Sequence, residues 1–215
     1  MVRKTSTAAD PRLNLGAMRY GECPSTGSSG RCAGPHALTF ADGETYAYDA
    51  NGNLESKGNT VYAWDHRDRL TSVDDGELFS SHVYDAEGQR VRKTVSQGGV
   101  TTATLYLGQY AEVRGGQLVQ YVFADEGRTV EVAVPFDSAR LIRDFGGEAT
   151  FDSSIPNERA WYLMDHLGGT SLLLNEAGQT VSEIAYYPYG LTRYEVSIGK
   201  VLYRFTSKEL DETQL

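Results

Sequence analysis

An all-β fold of antiparallel hairpins is what this 215-residue sequence predicts, and three observations predict it. The heptapeptide Tyr48-Asp49-Ala50-Asn51-Gly52-Asn53-Leu54 returns, altered, as Trp64-Asp65-His66-Arg67-Asp68-Arg69-Leu70 and as Tyr84-Asp85-Ala86-Glu87-Gly88-Gln89-Arg90. The shared aspartates Asp49, Asp65 and Asp85 lie 16 and 20 residues apart. A period that short describes one hairpin that must stack on its neighbours, not a free-standing domain. Glycine supplies 23 residues and falls at turns, between runs rich in Val, Thr and the 14 tyrosines, which favour strands. No segment carries the period of a long helix.

Taken in order, residues 1–33 lack periodicity and are rich in Ser, Gly and Thr, a poorly ordered lead-in. From Ala37 short strands begin. Asp42-Gly43 separates Leu38-Thr39-Phe40 from Thr45-Tyr46-Ala47-Tyr48, a strong hairpin signal, and Asn51-Gly52 supplies the next turn. Gly76, Gly88, Gly98-Gly99 and Gly115-Gly116 punctuate further strands. Val130, Val132 and Val134 alternate with Glu131 and Ala133, as in a half-buried strand. About a dozen strands are expected in all. The hairpin array spans 34–134, residues 135–158 form an insertion or long connection, and strands resume over 159–215 with turns at Asn175–Gly178 and Pro188-Tyr189-Gly190. Each motif aspartate is expected to accept backbone N–H bonds from residues two or three further on. Each motif aromatic is expected to point the other way and stack in a ladder with those of adjacent repeats.

These motifs resemble the YD repeat of the RHS family, which includes bacterial polymorphic toxins, toxin-complex C components and teneurins. Gly34-Pro35-His36 resembles the family's lead-in to the first repeat. Trp161-Tyr162 with Asp165-His166-Leu167-Gly168-Gly169-Thr170, then Tyr186-Tyr187-Pro188-Tyr189-Gly190, then Phe205-Thr206-Ser207-Lys208-Glu209-Leu210-Asp211 resemble successive segments of its core, with Ser207 where the family has Gly. The resemblance covers roughly 34–213. It implies part of a spiralling β shell that encloses and delivers a C-terminal toxin or effector, in a larger protein that is secreted or displayed at the cell surface. The family's self-cleaving segment would follow Thr213, so neither cleavage chemistry nor a toxin carries over to these residues.

Composition narrows the partners. Net charge is −9 and the sequence pI is near 4.9, which argues against nucleic acid, whose binders need a basic stripe. No apolar run reaches the ~18 residues of a membrane span. Arg3 and Lys4 are followed by no apolar stretch, so no signal peptide is visible. Cys23 and Cys32 flank a polar loop, either as two idle thiols or as a short-loop disulfide in an oxidising compartment. Only His36 lies near them, too few ligands for zinc.

Catalytic candidates are weak. Asp165-His166 suggests a general base, but neighbours on a strand face opposite ways, and neither Gly-x-Ser-x-Gly nor His-Glu-x-x-His is present. His166 is expected to be structural, its ring tied into a turn that Gly168 closes. Asp125, Glu126, Glu131, Asp137 and Asp144 sit beside Arg128, Arg140 and Arg143, a pattern of surface ion pairs more than of an acid pair for glycoside hydrolysis. Asp49, Asn51 and Asn53 lack the Gly and Glu of a calcium loop, since Leu54 and Thr60 fill those places. No catalytic, cofactor-binding or metal residue is assigned, no cofactor is expected, and the chain is expected not to be an enzyme. Its expected partners are a C-terminal effector or other RHS segments. A carbohydrate- or protein-binding surface module is the alternative, and a hydrolase within 135–158 a third reading. The isolated chain is expected to self-associate through unpaired strands such as Leu118 to Phe123.

Overall fold

The computed structural model describes residues 16–21, 34–124, 127–136, 158–198 and 201–211. Among these residues the regular elements are β-strands and one 3-10 turn, Phe205–Ser207. Sixteen strands succeed one another, more than the dozen expected, and their order in the sheet is their order in the chain. By backbone contacts the chain divides into two compact units, Met1–Gly88 with Lys93–Thr101 and Gln89–Arg92 with Thr102–Leu215.

The first unit holds β1 (Arg19–Tyr20), β2 (Leu38–Ala41), β3 (Glu44–Tyr48), β4 (Leu54–Lys57), β5 (Thr60–Trp64), β6 (Leu70–Asp74) and β7 (Leu78–Tyr84). β1 lies within the stretch expected to be poorly ordered, and it pairs with β2 through Arg19↔Phe40 and Tyr20↔Leu38. Two kinds of turn alternate. At one end of the strands are tight hairpins such as Asp42-Gly43, where both residues have positive φ (51° and 80°), the backbone that matches the right-handed twist of the flanking strands. At the other end are the loops headed by Asp49, Asp65 and Asp85. The buried face carries Ala41, Ala47, Tyr62, Val73 and Leu78, and β7 adds Ser80 and His82 at alternate positions. His82 Nε2 lies 3.0 Å from Ser80 Oγ and Nδ1 lies 3.2 Å from the Leu70 carbonyl, so both ring nitrogens are engaged.

Next in the chain come β8 (Arg90–Gln97) and β9 (Val100–Tyr106), each with residues in both units. The second unit continues with β10 (Ala111–Arg114), β11 (Gln117–Ala124), β12 (Gly127–Pro135), β13 (Glu158–Met164), β14 (Thr170–Asn175), β15 (Thr180–Tyr186) and β16 (Thr192–Ser197). Register puts Glu112 opposite Val119, Val119 opposite Ala133, Tyr121 opposite Glu131, Tyr162 opposite Leu173 and Ile184 opposite Glu195. One face therefore carries Val119, Tyr121, Ala133, Tyr162, Leu173 and Ile184, which supply the two hydrophobic clusters of this unit. On β12 the deeper face is the one with Glu131 and Ala133, not the valine face, because the large rings of Tyr121 and Tyr162 occupy that side and leave room only for a small residue and a hydrogen-bonded carboxylate. β11 pairs with β12 along its length and with β10 over Gln117–Gln120, so Leu118–Gln120, within the stretch expected to be unpaired, is not a free edge. Among the described strands β16 comes last in the order, bonded to β15.

Cys23, Cys32, Asp125, Glu126, Asp137, Arg140, Arg143 and Asp144, with most of the 135–158 connection, lie outside the described residues.

Candidate functional site

The motif aspartates hold turns together. Asp49 Oδ1 accepts the N–H groups of Asn51 and Asn53, both at 2.9 Å. Asp65 Oδ1 accepts those of Arg67 and Arg69 at 2.8 and 3.1 Å, and Asp165 Oδ1 those of Leu167 and Gly169 at 2.8 Å. Asn175 repeats the arrangement on Ala177 and Gln179 at 3.0 Å. The spacing is two and four residues, not the expected two and three, because the loop is closed by five residues with the first N–H bonded to the fifth carbonyl, as in Asp49 N to Asn53 O at 2.9 Å. Only Asp75 uses the two-and-three pattern among these.

Charge follows geometry. The Arg69 side chain, then the N–H groups of Arg67 and Arg69, hold the Asp65 carboxyl down at about 2. The Asn53 amide lowers Asp49 in the same way, and the Leu78 and Glu77 N–H groups lower Asp75.

Successive turns are bonded to one another. Asn51 Nδ2 and Asn53 Nδ2 both donate to Asp68 Oδ1 at 2.8 Å. Arg67 and Arg69 donate in turn to the Ala86 and Asp85 carbonyls at 2.9 Å. The motif aromatics do not form the expected ladder of stacked rings; among the described residues the ring pairs are Tyr110–Phe123, Tyr121–Tyr203 and Tyr186–Phe205. Instead each donates a hydrogen bond to a carbonyl one repeat back: Tyr48 to Leu38 at 2.9 Å, Trp64 to Leu54 at 2.8 Å, and Tyr84 to Leu70 at 2.7 Å. Tyr186 does the same to Thr170 at 3.0 Å. Bonding outweighs stacking because a half-buried phenol or indole must satisfy its polar hydrogen.

His166 is exposed, and its turn is closed by Asp165 and by Gly168 N on the Asp165 carbonyl at 3.0 Å, not by its ring. Glu131 accepts Tyr162 Oη–H at 2.6 Å and faces Arg114 at 3.6 Å, an interior ion pair where a surface one was expected. Among the described residues no group of His, Cys, Asp and Glu is placed to hold a metal, and no helix is long and apolar enough to cross a membrane.

The densest polar network lies where residues 201–211 cross the buried face of the second unit. Glu112, 2% exposed, accepts Tyr121 Oη–H at 2.8 Å and Tyr203 Oη–H at 2.9 Å, and pairs with Arg114 Nε at 3.0 Å. The Arg128 guanidinium, in a residue only 6% exposed, lies 3.3 Å from the Tyr203 ring centre and 4.2 Å from that of Tyr121. Its Nε and Nη1 are buried without an acceptor, so the rings are what compensates its charge. Arg90 pairs with Glu209 and Asp211, and Tyr106 donates to Glu209 at 2.8 Å. Burial and the neighbouring acids push the tyrosines Tyr106, Tyr121, Tyr162 and Tyr203 well above their ordinary range. Arg204 clamps Glu195 with two bonds of 2.8 Å. Sequence reasoning missed this site; the signal available was the charge-rich Arg204–Asp211 text at the end of a strand array. The exposed pair Tyr110 and Phe123 meets edge to face at 89°, which presents an edge where sugar stacking needs a flat platform.

A meander of short strands, its turns capped by Asp49, Asp65 and Asp165 and chained, in the first unit, to the next turn, defines a repeat-built array. No protein-family model matches the chain. The tRNA3(Ser)-specific nuclease WapA of Bacillus spizizenii is 42% identical over 185 residues, 81% of this chain and 7% of the relative. The tRNA nuclease WapA of Bacillus subtilis is 42% identical over 67 residues, 30% of this chain and 3% of the relative. The crystal structure of TcdB2-TccC3-Cdc42 superposes with a TM-score of 0.60 at 23% identity, over 78% of this chain and 8% of that one. TcdB2-TccC3 without its hypervariable C-terminal region matches 100% of this chain and 12% of that one, with a TM-score of 0.55 at 17% identity. At those identities the likeness of the structures speaks for the fold. The chain belongs to the RHS/YD-repeat family.

Proposed function

We propose that this chain is a non-catalytic length of wall in an RHS-type shell, and that the larger protein uses the shell to enclose and deliver a C-terminal toxin or effector outside the cell that makes it. One observation carries the reading: the carboxylates of Asp49, Asp65 and Asp165 are committed to capping turns, and the aromatics Tyr48, Trp64 and Tyr84 to tying a turn to the repeat before. Membership of the RHS family and the likeness to TcdB2-TccC3 support a toxin-related role, with other RHS segments as partners. The nuclease named for the WapA relatives belongs, on this reading, to a part of them that this chain does not span.

Two measurements test it. The chain incubated with tRNA at physiological salt is expected neither to bind nor to cleave it; cleavage that Glu131→Gln or Asp165→Asn abolishes would make the chain an enzyme. Extended through its neighbouring coding sequence on both sides, the protein is expected to appear by electron microscopy as a closed hollow particle. A solid or open particle would sink the shell reading.

A further inference from the structure

We infer that the second unit carries a receptor for the hairpin at residues 202–210, and that this receptor accepts the same hairpin from a second copy of the chain. The hairpin is largely self-contained. Tyr203 bridges Glu209, Leu210 N donates to the Leu202 carbonyl at 2.7 Å, and Arg204 N donates to the Lys208 carbonyl at 2.8 Å across its tip. Its backbone bonds are thus made internally, unlike those of a ladder strand, which are lost when the strand leaves.

What fastens the hairpin to the unit is chiefly side chains. Val201, 1% exposed, fills the cluster of Tyr162, Leu173 and Ile184. Tyr203 lies over Arg128 and donates to Glu112. Phe205 meets Tyr186 at 5.6 Å, Ser207 Oγ–H donates to the Gly168 carbonyl at 2.8 Å, and Glu209 and Asp211 pair with Arg90. Among the described residues the bonds from the unit to the hairpin's own backbone come from Thr170, its N–H to the Arg204 carbonyl at 3.2 Å and its hydroxyl to the Tyr203 carbonyl at 2.7 Å. The pattern is that of a peptide ligand: an apolar anchor, an aromatic anchor and a pair of acids read by one arginine. Complementary charge also names the occupant. The acids of the hairpin answer Arg90, and its Arg204 answers Glu195 of β16, so another copy of the hairpin fits where an arbitrary acidic peptide does not.

The test uses the full chain with a protease recognition sequence placed at positions 199–200, cut only after folding. A fluorescein-labelled synthetic peptide of residues 201–215 is then added and followed by anisotropy and gel filtration. The nicked chain is expected to keep its β spectrum, to retain its own peptide, and to exchange it for the labelled one in urea below its unfolding midpoint. A peptide with Glu209→Gln and Asp211→Asn, or one with Tyr203→Leu, is expected to bind about tenfold or more weakly. Hydrogen exchange on the uncut wild-type chain provides a second reading: amides of 202–210 are expected to exchange together and before those of β13 to β15. Collapse of the nicked chain, no exchange at any urea concentration below its midpoint, equal binding of the altered peptides, or exchange of the hairpin only with global unfolding would each overturn the proposal.

Discussion

Asp65 shows how much one residue can hold. Its carboxylate takes two N–H groups and the Arg69 guanidinium, which pairs with it at 2.7 Å, and these contacts hold the acid near 2, against 3.8 for the free side chain. Asp49 and Asp75 are lowered too. A depressed folded-state value means stability that is complete above the unfolded value and is lost as pH falls through the folded one. The melting temperature is therefore expected to fall as pH drops from about 4 towards about 2, and Asp65→Asn to flatten part of that slope. An unchanged slope in a pH series by differential scanning calorimetry would mean these turns do not couple to global stability. Gly190 is the second residue to probe. Its φ is +92°, and an added Cβ would lie 2.8 Å from Phe205 Cδ1, so Gly190→Ala is expected to cost about 2 kcal/mol in urea denaturation. Ser207 occupies the left-handed position (φ +57°) that Gly takes in sister turns, with its hydroxyl on the Gly168 carbonyl.

An element here is a hairpin plus the bond that fastens it to its neighbour. Trp64 reaches the Leu54 carbonyl from the end of β5, so Trp64→Phe keeps most of the ring and leaves that carbonyl unmet; a loss of about 1 kcal/mol is expected by chemical denaturation. Among the strands of the second unit the cost concentrates in β10. Glu112 is the shared acceptor of two tyrosines and one arginine in a dry interior. Glu112→Ala strands both phenols and leaves Arg114 only the longer pairing with Glu131, and is expected to cost about 3 kcal/mol, read as a shift in the urea midpoint at unchanged slope. A loss below ~1 kcal/mol would show that water replaces the carboxylate.

At the largest scale, the second unit ends its run of described strands at β16. Among the described residues β16 is paired with β15 alone, and it shows Tyr194 and Val196 at alternate, exposed positions. Such an edge recruits other chains. Light scattering at tens of micromolar is expected to show self-association that Val196→Lys reduces. Exchange of the 202–210 hairpin should survive that change, since Glu195 and not Val196 faces Arg204. A strictly monomeric wild-type chain would point to an edge already covered. Far-ultraviolet circular dichroism is expected to show a β spectrum with helix below about 15%.

Period and turn chemistry were enough to read the hairpin array, its family and the structural duty of Asp49 and Asp65 from the amino-acid order alone, because a turn is decided by residues a few positions apart. Asp42-Gly43 and Asn51-Gly52 carry their conformations in their own text. What only the tertiary structure decided is every partner at long range: that Arg90 meets Glu209 and Asp211, that Tyr203 covers Arg128, and that the motif rings bond to a carbonyl one repeat back. Those pairings depend on register and on which face of each strand turns inward. A slip of one residue would reverse every side chain, and no local pattern encodes which acid a buried arginine will find.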